Sequence, residues 1–178
     1  MSNTFSENDY NSNDGMVTYI WGPPMWHSLH TITFNYPNNP TKEQKKHYLK
    51  FFTDIKDILP CKYCRENYAT NLLNYPLNSN VLKNRDTLSR WLFIIHEEIN
   101  NKLGKKSYLT FEEVRDRYEH FRSRCLNSST IKKKGCTESL YGIKSKCVIN
   151  IVPKEKDTPS FKINNKCKIK KINSKNNK

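Results

Sequence analysis

The residues best suited to chemistry in this chain are Cys61 and Cys64, set in Pro60-Cys61-Lys62-Tyr63-Cys64-Arg65. A helical pattern begins at this point. The preceding helix runs into Leu59 and breaks at Pro60, and Cys61, Cys64, Tyr68, Leu72 and Tyr75 then recur at spacings of three and four, which puts both sulfurs on one helix face. A helix start offers unpaired N–H groups and the positive end of a dipole, and both favour a thiolate over a thiol. Free cysteine titrates near ~8.5, and a helix start or a Cys-x-x-Cys setting commonly lowers that by about one unit or more. The pair can hold a disulfide that opens and closes, supply two ligands to a zinc ion, or form a plain structural bridge. Spacing alone leaves all three open.

A second set lies on the flanking helices. His96 and Asn100 are four apart and share a face with Leu92 and Leu103, while Trp26 and His30 fall on the stripe of an earlier helix. Taken singly, each reads as a core or core-edge residue whose polar atoms need partners, as does Trp91. Together with a dithiol they suggest more, because helix bundles build cofactor sites from side chains on facing helices. A planar cofactor stacked on an aromatic ring, with a sulfur near its reactive atom, would suit the set. A redox dithiol needs an electron acceptor, and a flavin would supply one.

The elements that must position these residues are helical. Trp21-Gly22-Pro23-Pro24 opens the first helix, with Trp26, Leu29, His30, Thr33 and Phe34 on one face. Tyr36 to Pro40 is a turn, and Thr41 with Gln44 makes a capping box for a second helix whose stripe is Tyr48, Phe51, Phe52, Ile55, Ile58 and Leu59. The third helix carries the two cysteines and ends before Pro76. A fourth, capped by Asp86, buries Leu88, Trp91, Leu92, Ile95, Ile99 and Leu103 and stops at Gly104. Thr110 and Glu113 cap a shorter fifth that reaches about Cys125. No segment alternates as a strand. The expected fold class is all-α: a four-helix bundle plus a short fifth helix, with a disordered or weakly ordered basic tail.

Composition agrees with one domain plus extensions. The chain has 178 residues, 35% of them hydrophobic, and a net charge of +14 that is unevenly placed. Leu126 to Lys178 holds 14 lysines against three acidic residues, +11 of that charge, which leaves +3 for the first 125 residues. Met1–Val17 is poor in apolar residues and reads as disordered; without a basic start and an apolar segment it is not a secretory signal. No run approaches the ~18 apolar residues of a membrane span. The expected boundaries are therefore 1–17, 18–125 and 126–178.

The motifs resemble the Erv/ALR family of FAD-linked sulfhydryl oxidases, and most of all the versions encoded by large DNA viruses. The matching pieces are Trp21-Gly22-Pro23-x-x-Trp26-x-x-Leu29-His30, Tyr36-Pro37-x-x-Pro40-Thr41, Pro60-Cys61-x-x-Cys64, and Trp91-Leu92-x-x-x-His96-x-x-Ile99-Asn100-x-x-Leu103-Gly104-Lys105. The resemblance implies a helical bundle that cradles FAD, commonly as a homodimer, and oxidises protein dithiols with oxygen to give hydrogen peroxide. It implies that Cys61–Cys64 is the active disulfide, with Cys64 toward the flavin and able to add to it, and Cys61 exchanging with the incoming thiolate. Trp26, His30, His96 and Asn100 would contact FAD. Gly22, Pro23, Lys102, Lys105 and Tyr108 would line its edges and phosphates. A viral protein of this kind would work in the host cytoplasm and could be carried in the virion.

Three positions depart from the family's cellular pattern. Glu97 stands where an Asn often follows the helix-four His. Phe93 stands where many relatives have a cysteine, with Thr110 near the place of its partner, so a bracing disulfide is lost. Leu59 replaces an aromatic. The tail adds Cys136 and Cys147, candidates for a shuttle disulfide, with Cys125 as another partner and Cys167 as the odd one. Its lysine clusters, Lys132-Lys133-Lys134 and Lys166 to Lys171, suit a non-specific anionic partner, with few aromatics for base stacking. The competing class is a zinc-stabilised nucleic-acid-binding module, in which Cys61 and Cys64 join two tail cysteines.

Overall fold

The computed structural model describes residues 6–12, 14–126, 135–140, 143 and 164. The chain divides into two compact units, Met1–Ser107 and Tyr108–Lys178. The first unit is built from α1 (Glu7–Asn11), α2 (Thr18–Phe34), α3 (Lys42–Ile58), α4 (Lys62–Asn74), a 3-10 turn (Val81–Lys83) and α5 (Arg85–Lys102). The all-α expectation holds for this unit.

Local chemistry sets the helix ends. Thr41 and Gln44 form the expected reciprocal capping box at α3. α5 ends in a Schellman motif. Lys105 N–H donates to Asn100 O at 2.8 Å and Gly104 N–H to Asn101 O at 3.0 Å, with Gly104 at φ 66°, a value that suits glycine. The start of α5 differs from expectation. Asn84, not Asp86, is the cap; its Oδ1 accepts from Thr87 N–H at 3.0 Å, while Asp86 lies inside the first turn and pairs with Arg90. Asn84 is extended and so can turn its side chain onto the helix end, which a residue already inside the helix cannot do.

Leu29, Tyr36, Phe52, Ile55, Leu59, Tyr68, Leu82, Leu88, Trp91, Leu92 and Ile95 make one buried cluster. Polar tips within it are satisfied by backbone. Tyr36 Oη donates to Leu82 O, Tyr68 Oη to Phe52 O and Trp91 Nε1 to Tyr75 O. Burying a large apolar side chain contributes about 1.5–3 kcal/mol. A cluster drawn from α2, α3, α4 and α5 therefore fixes their packing far more firmly than helix propensity does. Phe51 and Ile58, expected on the α3 stripe, are exposed; the buried face is Phe52, Ile55 and Leu59.

The N-terminal stretch holds more structure than its composition suggests. Ser6 and Asp9 form a capping box that closes α1, and α2 begins at Thr18, three residues before Trp21. Pro23 and Pro24 thus lie past the first turn and cannot donate to the carbonyls of Tyr19 and Ile20.

In the second unit, α6 (Phe111–Glu119) starts with the expected Thr110–Glu113 capping box but ends at Glu119, not near Cys125. Strand β1 (Ser123–Leu126) follows, antiparallel to β2 (Gly135–Ser139), with Ser123 opposite Ser139, Arg124 opposite Glu138 and Leu126 opposite Gly135. Pairing with a segment beyond position 126 is what makes 123–126 extended, and no local pattern announces it. Among the described residues, no helix is long and apolar enough to cross a membrane.

Candidate functional site

Cys61 and Cys64 are disulfide-bonded, with Cα atoms 5.1 Å apart. Pro60 ends the α3 connection, and Cys61 is the extended N-cap of α4, its Sγ accepting from Cys64 N–H at 3.2 Å. Arg65 reaches back from the first turn and donates through Nη1 to Leu59 O at 2.7 Å, which braces the turn at Pro60. The two sulfurs are not equivalent. Cys64 packs against the core cluster, and Cys61 does not.

α2 and α5 bring three rings together. Trp26 and His96 are stacked, centroids 3.9 Å apart and planes within 7°. His30 Nε2 and His96 Nδ1 lie 3.0 Å apart, so one nitrogen must carry the proton and the other accept it. Burial pushes His30 down to about 3, helped by the neighbouring His96 and His27. Burial also pushes His96 down to about 4; Glu97 opposes the shift and Lys105 adds to it. Both rings are therefore neutral at pH 7, which a shared N–H···N bond requires.

One turn further along α5, Asn100 Nδ2 donates to Glu97 Oε1 at 3.0 Å, and Ser107 Oγ donates to Glu97 Oε2 at 2.8 Å. Glu97, a departure from the cellular pattern, thus orients the Asn100 amide. Lys102 Nζ donates to Asn71 Oδ1 at 2.9 Å and Lys105 Nζ lies 5.3 Å from the Tyr19 ring centroid. Gly22 and Pro23 are on α2, and open space surrounds Gly22 where a Cβ would stand. Tyr108 belongs to the second unit and is 85% exposed.

Two features have no counterpart in the sequence reading. Asn71 is fully buried on α4, and its Nδ2 has no partner among the described residues. It lies seven residues after Cys64, so the helical spacing that marked Cys64 and Tyr68 reaches it as well. The other is Asp14-Gly15-Met16, laid across the start of α4. Gly15 bridges antiparallel to Cys61, Met16 N–H donates to Pro60 O at 2.7 Å, Lys62 N–H donates to Asp14 O at 3.1 Å, and Trp21 Nε1 donates to Met16 O at 3.0 Å. No periodicity marks these residues.

These donors and rings fit FAD. A stacked Trp–His platform suits a planar ring, Asn71 Nδ2 is a buried donor awaiting an acceptor, and Lys102 and Lys105 suit phosphates. Zinc has no support here. The two sulfurs are bonded to each other, and the described residues contain no group of three or more candidate metal ligands. Cys136 is also disulfide-bonded, but the expected Cys136–Cys147 pairing and Cys167 lie outside the described residues.

Fold and site together define a helical protein with a disulfide at a helix N-terminus beside a buried aromatic–histidine cluster. The chain belongs to the Erv1 / Alr family, whose model matches residues 23–119. It is 43% identical over 94 residues to a protein of Acanthamoeba polyphaga mimivirus named a probable FAD-linked sulfhydryl oxidase, a match covering 53% of this chain and 65% of that protein. It is 29% identical over 99 residues to the FAD-linked sulfhydryl oxidase of African swine fever virus, covering 56% and 80%. The crystal structure of the FAD binding domain of Erv1 from Saccharomyces cerevisiae is similar to it with a TM-score of 0.53 at 26% identity, covering 58% of this chain and 94% of that one.

Proposed function

We propose that this protein is an FAD-dependent thiol oxidase that forms disulfides in protein dithiols, with oxygen as acceptor and hydrogen peroxide as product. The observation that carries the reading is the Cys61–Cys64 disulfide, with one sulfur packed on the core and the other capping α4 outside it. A substrate thiolate attacks Cys61 Sγ. The Cys61–Cys64 bond breaks, and its electron pair leaves on Cys64, where the first-turn N–H groups of α4 favour the thiolate. The second substrate thiolate then attacks the substrate sulfur of the mixed disulfide. This closes the substrate's disulfide and releases Cys61, so the Cys61–Cys64 dithiol now holds the two electrons taken from the substrate.

FAD, when bound, supplies the two-electron acceptor that returns this dithiol to a disulfide and passes the electrons to oxygen. Trp26 and His96 would hold its ring system, His30 would fix His96, and Asn100 and Asn71 would donate to its polar edges. Lys102, Lys105 and Tyr108 would meet its phosphates, and Gly22 and Pro23 would leave it room. The neutral His30–His96 pair keeps two imidazoles in the site without adding charge. The same reading makes the protein a homodimer, and likeness to two viral proteins supports a role in the host cytoplasm and in the virion.

The test is direct. Purified protein is expected to be yellow with flavin absorbance and to consume oxygen with dithiothreitol, and Cys64→Ser is expected to abolish that consumption. Colourless protein containing stoichiometric zinc would refute the reading.

A further inference from the structure

The segment Asp14–Met16 covers the backbone of Cys61 in one particular way. Gly15 and Cys61 face each other without exchanging hydrogen bonds; the bonds flank them, from Met16 N–H to Pro60 O and from Lys62 N–H to Asp14 O. This is the non-hydrogen-bonded pair of an antiparallel ladder, whose Cα atoms stand about 4.5 Å apart, with both side chains on the same face of the ladder. A disulfide spans Cα atoms roughly 4.4–6.8 Å apart. A cysteine facing Cys61 in this register would thus lie within bonding reach of its sulfur.

Gly15 occupies that place with no side chain. Its φ of 105° is a glycine conformation, and a Cβ there would come within 2.5 Å of Pro60 O and 2.8 Å of Cys61 Cα. The segment closes the edge without offering a thiol. It is also lightly held. Asp14 to Val17 are exposed, and the printed bonds that fasten them to the site are the two backbone bonds and the Trp21 indole. Lys62 N–H is a first-turn donor of α4 that has no partner within its own helix, so any occupant of the edge gains a carbonyl-to-helix contact.

We propose that the edge Pro60–Lys62 is the docking strand for the substrate. An extended, cysteine-bearing segment of the protein dithiol adds antiparallel in place of Asp14–Met16, with its cysteine opposite Cys61. The inference rests on the thiol-oxidase reading and deepens it. The residue after the substrate cysteine donates its N–H to Pro60 O, and the carbonyl of the residue before it accepts from Lys62 N–H. The cysteine's own N–H points away from the edge. From this position its thiolate attacks Cys61 Sγ, the Cys61–Cys64 bond breaks, and Cys64 leaves as thiolate. The substrate's second thiolate then displaces Cys61, so two electrons pass to the enzyme dithiol and one disulfide forms in the substrate.

The register makes the test specific. The probes are dithiothreitol, which has no backbone, and an unstructured ten-residue peptide carrying one Cys-x-x-Cys. The peptide is used unmodified, N-methylated at the residue following each cysteine, or N-methylated at the cysteines themselves. Methylation after the cysteines should lower kcat/KM about three- to tenfold, the worth of one backbone hydrogen bond, and methylation of the cysteines should leave it unchanged. Met16→Pro removes the N–H that holds the covering segment to Pro60 O, and should raise the peptide-to-dithiothreitol ratio of kcat/KM. Equal rates for all three peptides, or an equal loss for both methylated ones, would overturn the docking edge even if Met16→Pro fails to fold. Wild-type protein that does not oxidise dithiothreitol would instead overturn the thiol-oxidase reading, and this inference with it.

Discussion

Trp26 lies flat on His96, 3.9 Å between centroids and 7° between planes. At that separation the two rings are in contact, so no third ring fits between them, and a planar cofactor must use the outer face of the stack. Removing the indole should therefore remove one wall of the site. Trp26→Ala is expected to weaken FAD binding about ten- to a hundredfold, from the loss of about 1.5–3 kcal/mol of aromatic burial, while Trp26→Phe keeps most of it. Titration of apoprotein with FAD, followed by quenching of flavin fluorescence, measures this. Unchanged affinity in the alanine variant would remove the stack from the cofactor site.

The His30–His96 pair makes stability depend on acid in a defined window. Both folded-state values lie below the unfolded ~6.5, at about 3 and about 4, so between these limits the unfolded chain binds more protons. The contribution is fully present above pH 6.5 and is lost as pH falls toward 4. Each histidine gives a slope of up to about 1.4 kcal/mol per pH unit. Urea denaturation at pH 7, 5.5 and 4.5 should show wild type losing stability more steeply than His96→Phe, which keeps a ring on Trp26 but cannot titrate. Parallel slopes would show that His96 does not stay neutral on folding.

Asn71 supplies a test of whether its buried donor is structural or functional. Its Nδ2 is sealed from solvent without a partner, a state that costs about 1–3 kcal/mol. Asn71→Leu removes that cost together with the carbonyl that Lys102 contacts, and Lys102 can return to solvent. FAD-free protein should gain Tm with Asn71→Leu, and FAD-loaded protein should not, because the cofactor gives the wild-type amide its acceptor. A thermal shift of the same sign and size in both states would show that Asn71 does not meet the cofactor.

Much of this site was legible in the sequence because helical spacing is local. The three-and-four recurrence placed Cys61 and Cys64 at a helix start, put Trp26 and His30 on one stripe and set His96 one turn before Asn100. The capping signals at Thr41, Thr110 and Gly104 worked for the same reason. What escaped depends on contacts distant in sequence. The stacking of Trp26 on His96 spans 70 residues, the bond from Lys102 to Asn71 spans 31, and strand β1 exists through its pairing with β2. Asp14–Met16 is the extreme case. Its backbone groups make the contact with Cys61, and backbone groups carry no sequence signature.

Gly15 is where that hidden contact becomes accessible to mutation. An alanine there must place its Cβ 2.5 Å from Pro60 O while holding φ near 105°, and neither is tolerable for an L residue. The left-handed penalty alone is roughly 1–2 kcal/mol, which corresponds to a five- to thirtyfold shift toward the open segment. Lys62 N–H reports the opening, because its bond to Asp14 O exists only while the segment is in place. Hydrogen exchange at the Lys62 amide should therefore quicken by that factor in Gly15→Ala, with Asn71 and Trp91 amides unaffected. Met16→Ala is the control: it trims a side chain that is 70% exposed and leaves the backbone donor in place, so exchange at Lys62 should not change. If Gly15→Ala leaves the Lys62 amide as protected as in wild type, the segment is not held by these two bonds, and the edge at Cys61 is covered by something other than its ladder register.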